Sequence, residues 1–210
     1  MKHASIFFSF FLLLSFRLQA QLYFPPNNSA QWDTISPASL DWCPDRIDSL
    51  YQLLDNYNSK AFILLKDGKI VLEKYFNGHS ATQPWYWASA GKSLTAFLVG
   101  IAQRENLLNI NDSTSKYLEQ GWTSCTPAQE GAIRVRNQLT MTSGLDDEVP
   151  DDNCTIDSCL KYLAPAGSRW AYHNGPYTLL DSVIKNASGR TMNQYMNQKV
   201  KLITGMDGLY

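Results

Sequence analysis

The sequence has no surplus of positive charge and very little histidine. Its 210 residues carry 18 Lys and Arg against 19 Asp and Glu, a net charge of −1, with three His. Proteins that hold a nucleic-acid backbone present clustered Lys and Arg, so no nucleic-acid partner is predicted. The sequence also has no C-x-x-C pair, and His79 and His173 lie far from any cysteine. We therefore predict no metal site.

No apolar stretch is long enough to cross a bilayer comfortably. Residues 4–16 form an apolar run of 13 residues behind Lys2, and Ala20 precedes Gln21 as a small residue. A spanning helix needs about 20 apolar residues, whereas this arrangement is typical of a cleaved signal peptide. We predict a signal peptide over residues 1–20, a secreted or periplasmic protein, and no stable membrane anchor after cleavage.

Cysteine is scarce, with four residues that can pair in three ways. Export would place them in an oxidising compartment, where at least one disulfide is expected. Cys154 and Cys159 flank a short polar loop and are the preferred pair, although spacing alone leaves the connectivity open. The other two are Cys43 and Cys125.

The composition is that of a globular protein, with 44% hydrophobic and 18% charged residues. Residues 21–43 are rich in Pro, Asn and Ser and predict an extended lead-in. Asp45 can cap a helix, and two β-prone runs follow, joined at Asp67-Gly68. Asp-Gly between such runs predicts a hairpin, because both central turn positions need positive φ.

Two further segments show helical periodicity. The first has an apolar stripe at Leu94, Phe97, Leu98, Ile101 and Ala102, and the second at Leu179, Leu180, Val183, Ile184 and Ala187. The second helix is predicted to start near Pro176 and to end at Gly189. Only one hairpin is evident, and two strands make a marginal sheet. We expect the stripes to need a broader sheet, and the chain to be the front of a longer protein.

The stretch SAGKS, residues 89–93, could belong to a phosphate-binding loop or to the nucleophile and base of an acyl-transfer enzyme. A phosphate-binding loop needs a glycine five residues before Gly91, where this sequence has Tyr86. A lipase-type G-x-S-x-G elbow lacks its first glycine, and a Ser-His-Asp triad has few histidines to draw on. Both interpretations are weak compared with a Ser89-x-x-Lys92 pair.

Ser89-x-x-Lys92 has a direct physical logic. At the start of a helix, residues i and i+3 share a face, so Lys92 can lie beside the Ser89 hydroxyl. A helix N-terminus favours negative charge that develops nearby. Downstream, Tyr172 could shuttle a proton, and the Asn174 amide could hold both a lysine and a substrate carbonyl.

Three segments in this order resemble the serine β-lactamase and penicillin-binding-protein superfamily. They are SAGK (residues 89–92), RVRNQLTMTSGL (134–145) and PAGSRWAYHN (165–174). They resemble the family's S-x-x-K, its stretch ending in T-S-G-L, and its Y-x-N. The match covers about residues 61–206 and is nearest to the class C β-lactamase, esterase and D-aminopeptidase-like branch.

The resemblance implies an α+β fold, with an antiparallel sheet flanked by helices and an inserted helical lobe. It implies Ser89 as nucleophile, Lys92 and Tyr172 as the groups that move its proton, and Asn174 as the substrate-positioning group. Which of Lys92 and Tyr172 is the base stays open. The implied substrate is a small molecule or peptide carrying an ester or amide, with no cofactor. An esterase or D-amino-acid peptidase is favoured over a β-lactamase.

The sequence departs from the family pattern in one way. The family's third motif, a Lys-Thr-Gly or His-x-Gly type strand that completes the oxyanion hole, has no match here. We therefore interpret residues 44–210 as the N-terminal portion of the domain, inactive alone, with an exposed sheet edge and an open cleft beside Ser89. The alternative is a non-catalytic binding protein on the same fold. The oligomeric state is not predicted.

Overall fold

The structure, a computed structural model, describes residues 23–29 and 31–208. The chain divides into two compact units, one ending at Gln83 and the other beginning at Pro84. The predicted signal peptide lies outside the described residues and stays a prediction. Among the described residues, no helix combines the length and the apolar character needed to cross a bilayer.

The first unit contains a helix and the predicted hairpin. Helix α1 spans Pro44–Asn56, and strand β1 (Ala61–Lys66) pairs antiparallel with β2 (Lys69–Tyr75). The turn residues Asp67 and Gly68 have φ values of 52° and 83°, which confirms the predicted turn with two positive φ angles.

The core of the first unit is small. Val71, Leu72 and Phe76 are buried, whereas Ile63 and Leu65 on β1 are 52% and 45% exposed. In the part of the chain that the structure describes, β2 is the only strand paired with β1, so the outer edge of β1 is open. The expected exposed sheet edge is therefore present in the structure.

The second unit is helical. Its helices are α2 (Gly91–Arg104), α3 (Ser115–Leu118), α4 (Pro127–Ala132), α5 (Val135–Leu139), α6 (Asn174–Thr178), α7 (Leu180–Ser188), α8 (Met192–Met196) and α9 (Leu202–Thr204). A π-helical turn at Asn197–Lys201 joins α8 to α9. Short 3-10 helices occupy Pro37–Leu40 in the first unit, and Ala88–Ala90 and Asp157–Cys159 in the second. The single helix predicted from Pro176 is thus two helices, and it ends at Gly189 as predicted, with φ 70°.

The predicted stripes bury against helices and not against a sheet. One cluster joins residues of α2, α7 and α8, among them Leu98, Ala102, Val183 and Ile184, which are fully buried. Phe97, which the periodicity placed on the buried face, is 58% exposed, and Val99 is buried in its place. The described helices supply part of the apolar contact for these stripes, and the need for a broader sheet stays a prediction, since Phe97 is exposed and Leu94 and Ile101 are only partly buried.

The predicted fold class and the predicted Cys154–Cys159 pair are confirmed. The described chain combines an antiparallel strand pair with a helical lobe, as the α+β prediction required. Cys154 and Cys159 form a disulfide with a Cα–Cα distance of 6.1 Å. Cys43 and Cys125 are free thiols, the first exposed and the second half-buried.

Candidate active site

Ser89 lies in a tight turn that leads directly into α2. It is the middle residue of the 3-10 turn Ala88–Ala90, and α2 starts at Gly91. Ala88, just before Ser89, has φ 47°, a left-handed conformation that is uncommon for alanine and clusters at functional sites. One turn later, Lys92 Nζ donates a hydrogen bond to Ser89 Oγ at 3.3 Å. The i, i+3 spacing therefore brings the two side chains together as expected.

Tyr172 reaches the same point because its loop packs on the T-S-G-L segment. The Gly167 N–H donates to the Thr142 carbonyl at 2.8 Å, and the Ala164 N–H donates to the Gly144 carbonyl at 2.9 Å. Gly144 has φ 77°, and a Cβ there would lie 2.1 Å from the Ala164 oxygen. Only glycine permits this approach. The T-S-G-L segment thus holds the loop that carries Tyr172.

Tyr172 Oη donates a hydrogen bond to Ser89 Oγ at 2.6 Å. Lys92 Nζ lies 5.2 Å from the centre of the Tyr172 ring. The hydrogen bond with the Ser89 hydroxyl and, secondly, the nearby Lys92 ammonium lower the pKa of Tyr172, because both stabilise the phenolate. The serine hydroxyl therefore faces two groups that can exchange a proton with it.

Asn174 completes the predicted set. It is the first residue of α6, and its Oδ1 accepts a hydrogen bond from Lys92 Nζ at 2.7 Å. On its other side, Asn174 Nδ2 donates to Asp152 Oδ2 at 2.8 Å. Hydrogen bonds therefore join all four predicted residues. Lys92 and Asn174 are 82 residues apart in sequence, and Ser89 and Tyr172 are 83 apart.

Helices α6 and α2 are tied together beneath the site. Tyr177 Oη donates to the Lys92 carbonyl at 2.8 Å. The buried Gln138 donates to the Pro176 carbonyl at 2.7 Å and accepts from the Thr114 hydroxyl at 2.9 Å. All of these hydrogen-bonded groups belong to the second, helical unit. The packing of its helices therefore sets the relative position of Lys92 and Asn174.

His173 does not form a triad with Ser89. His173, next to Tyr172, is 3% exposed, and neither ring nitrogen has a hydrogen-bond partner among the described residues. Burial lowers the pKa of His173, and the nearby carboxylates oppose this shift only in part. The hydrogen bonds to the Ser89 hydroxyl come instead from Lys92 and Tyr172.

Sequence reasoning missed Asp152. It belongs to the run DDEVPDD, residues 146–152, which the sequence marks only as an acidic loop. The motif spacing says nothing about which of five acidic residues turns inward, because Asp152 and Asn174 are 22 residues apart. The need of the Asn174 amide for a second polar partner was the one signal in the sequence that pointed to an acceptor such as Asp152.

Comparisons with known proteins identify a family and a fold. The Beta-lactamase family model matches residues 50–208. A candidate 6-aminohexanoate-dimer hydrolase from Bacillus anthracis superposes with a TM-score of 0.65 at 21% identity, covering 85% of this chain and 54% of that one. An octameric penicillin-binding protein homologue from Pyrococcus abyssi gives 0.60 at 20% identity, covering 78% and 43%. At these identities the structural likeness shows the fold alone.

A curated protein is also similar to this chain in sequence. Protein flp from Staphylococcus aureus strain MW2 is 24% identical over 156 residues, which cover 65% of this chain and 31% of that protein. This chain spans about half the length of the solved structures that it matches. Since the family model matches most of the chain, from residue 50 to residue 208, the chain belongs to the Beta-lactamase family.

Proposed function

We propose that Ser89 is the nucleophile of a serine hydrolase that cleaves an ester or amide through an acyl-enzyme. The observation that carries the proposal is the pair of hydrogen bonds on Ser89 Oγ, from Tyr172 Oη at 2.6 Å and from Lys92 Nζ at 3.3 Å. A nucleophile within hydrogen-bond reach of its base, with the base oriented by a third group, is the general signature of covalent catalysis.

The proton path follows from these contacts. In the form of the protein whose Tyr172 has released its proton to solvent, Ser89 Oγ attacks the substrate carbonyl carbon, the Ser89 proton passes to the Tyr172 phenolate, and the carbonyl π electrons become the oxyanion. When the oxyanion collapses, the bond to the leaving group breaks and Tyr172 returns the proton to that group. Water then attacks the acyl-enzyme and gives its proton to Tyr172. Tyr172 returns that proton to Ser89 Oγ as the acid product leaves. Lys92 stabilises the phenolate form throughout, which the lowered pKa of Tyr172 supports.

The N-terminus of α2 supplies positive electrostatic potential that stabilises negative charge at Ser89. Ser89 lies two residues before the first residue of a 14-residue helix, where unpaired N–H groups carry partial positive charge. An oxyanion formed at Ser89 is stabilised there, with the Ser89 backbone N–H as one donor. Asn174 adds a side-chain amide that can donate to the substrate.

The substrate class is a small molecule or peptide with an ester or linear amide, with an esterase or D-amino-acid peptidase favoured over a β-lactamase. The Bacillus anthracis neighbour is described as a 6-aminohexanoate-dimer hydrolase, and this description supports an ester or amide substrate. We also propose that the protein works in a secreted or periplasmic setting. The Cys154–Cys159 disulfide supports that location, since disulfides persist in oxidising compartments.

A panel of activated esters, D-amino-acid peptides and lactams tests the proposal on the full-length protein. We expect turnover of an ester or linear amide that is lost in Ser89→Ala and retained in Ser93→Ala, a matched exposed serine one turn along. Saturable binding of these compounds without turnover would instead establish a non-catalytic binding protein on the same fold.

A further inference from the structure

We propose that Asp152 is a positioning residue for Asn174. Its carboxylate holds the Asn174 amide so that Oδ1 faces Lys92 and one N–H stays available for the substrate. The first half of this inference stands on the structure alone, and the second half rests on the proposed function. Asp152 makes no hydrogen bond to Ser89 or Lys92 among the described residues, so its hydrogen-bond link to the site runs through Asn174. Its negative charge also acts in the direction that raises the pKa of Tyr172, against the larger effects of Ser89 and Lys92.

The hydrogen-bond capacity of the amide makes the orientation unique. An asparagine side chain has one oxygen acceptor and two N–H donors, whereas a carboxylate only accepts and an ammonium only donates. With Lys92 on one side at 2.7 Å and Asp152 on the other at 2.8 Å, turning the amide over would break both bonds. One N–H is used by Asp152, which leaves one for a substrate carbonyl oxygen.

The backbone around Asp152 is held against the start of α6. The Gly175 N–H donates to the Asp152 carbonyl at 2.7 Å, and Asn153 Nδ2 donates to Asp152 Oδ1 at 2.9 Å. A Cβ at Gly175 would lie 2.3 Å from the Cys154 carbonyl oxygen, so glycine is required for this approach. Cys154 is itself covalently tied to Cys159. Hydrogen bonds to its backbone and to its side chain therefore hold Asp152 in place.

The other acids of the loop do not share this role. Asp147 is paired with Arg169, with Nη1 and Oδ1 2.5 Å apart. Glu148 is exposed, and no hydrogen bond joins its side chain to Asn174 among the described residues. Glu148→Gln consequently removes the same charge from the same loop without touching the amide, and it serves as the matched control.

A double-mutant cycle on the full-length protein separates positioning from general structural support. Asp152→Ala should lower kcat/KM by roughly 10- to 100-fold, the range expected for loss of a hydrogen bond to a charged group. Asp152→Asn, which keeps an acceptor of the same shape, should recover part of this loss, and Glu148→Gln should stay near wild type. In an Asn174→Ala background, Asp152→Ala should cost less than about threefold, because its target is gone. An equal loss in both backgrounds, or no loss in wild type, overturns the proposal.

An NMR measurement gives an answer that does not depend on turnover. The side-chain amide signals of Asn174, assigned by their absence in Asn174→Ala, should shift in Asp152→Ala and stay in place in Glu148→Gln. Asp152→Asn, as an isosteric change, provides the same comparison if Asp152→Ala does not fold. Unchanged Asn174 signals refute the positioning role. Shifted signals in a protein with no hydrolase activity keep it and reject only the proposed function.

Discussion

Replacing Tyr172 with phenylalanine removes the group that the structure places closest to the Ser89 hydroxyl. The change deletes one oxygen, and with it the 2.6 Å hydrogen bond to Ser89 Oγ. The ring beside Lys92 is kept, at 5.2 Å from Nζ. Because Tyr172 is 44% exposed, the free energy of unfolding should change by less than about 0.5 kcal/mol.

The catalytic cost should be far larger than the cost in stability. A positioned general base contributes on the order of 10²–10⁴ in rate. At about 1.36 kcal/mol for each factor of ten, the barrier to acylation should rise by about 3–5 kcal/mol. We expect kcat/KM for an activated ester to fall by that factor in the full-length protein.

The pH dependence gives a second readout of the same group. The pKa of Tyr172 is lowered from its ordinary value of about 10 by its hydrogen bond with Ser89 and by the nearby Lys92 ammonium. In the proposed mechanism the active base is the deprotonated form, so wild-type kcat/KM should rise with pH, with a midpoint below that of an ordinary tyrosine. Tyr172→Phe should lose this rise, while Tyr162→Phe, a tyrosine 42% exposed, should keep it. A Tyr172→Phe variant with near wild-type kcat/KM and an unchanged pH profile would refute the mechanism.

Three further predictions concern the scaffold. Gly144→Ala should lower stability by about 2–5 kcal/mol in denaturant unfolding, since it adds a clash with the Ala164 oxygen to an unfavourable φ; a smaller effect would mean that the loop adapts. Glu130→Gln should cost about 1–3 kcal/mol, because the buried carboxylate accepts from Thr123 at one oxygen and from the Gly121 N–H and the Ser115 hydroxyl at the other, whereas an amide can accept at only one of these positions; an unchanged midpoint would contradict this. The lowered pKa of His173 means that the fold favours its neutral form, so wild-type stability relative to His173→Phe should be greatest above about pH 6.5 and decline as pH falls below it; a relative gain on acidification would reverse the sign of the assignment.

The sequence predicted the parts of this molecule whose causes are local. The Asp67-Gly68 turn, the start of α2 after Ser89 and the glycine end of α7 each follow from a few neighbouring residues. The S-x-x-K pair is local as well, because three residues of helix bring the side chains together. Tyr172 and Asn174 came from the resemblance to a family, and the structure brings both to Ser89 and Lys92.

The parts that could not be predicted depend on tertiary contacts. The periodicity of α2 placed Phe97 inside, but the fully buried residues of α2 include Val99 and not Phe97. Burial of a helix is set by where its neighbours lie, which a single stripe does not reveal. Asp152 was hidden for a related reason, since five acids in one loop look alike until the backbone contact at Gly175 selects one of them.

The most direct test of the central claim is the site of covalent labelling. The full-length protein is treated with a fluorophosphonate, digested and examined by mass spectrometry. We expect one adduct, on Ser89, that disappears in a folded Ser89→Ala variant and persists in Ser93→Ala. An adduct that survives Ser89→Ala, or that maps to Ser93, would show that Ser89 is not the nucleophile.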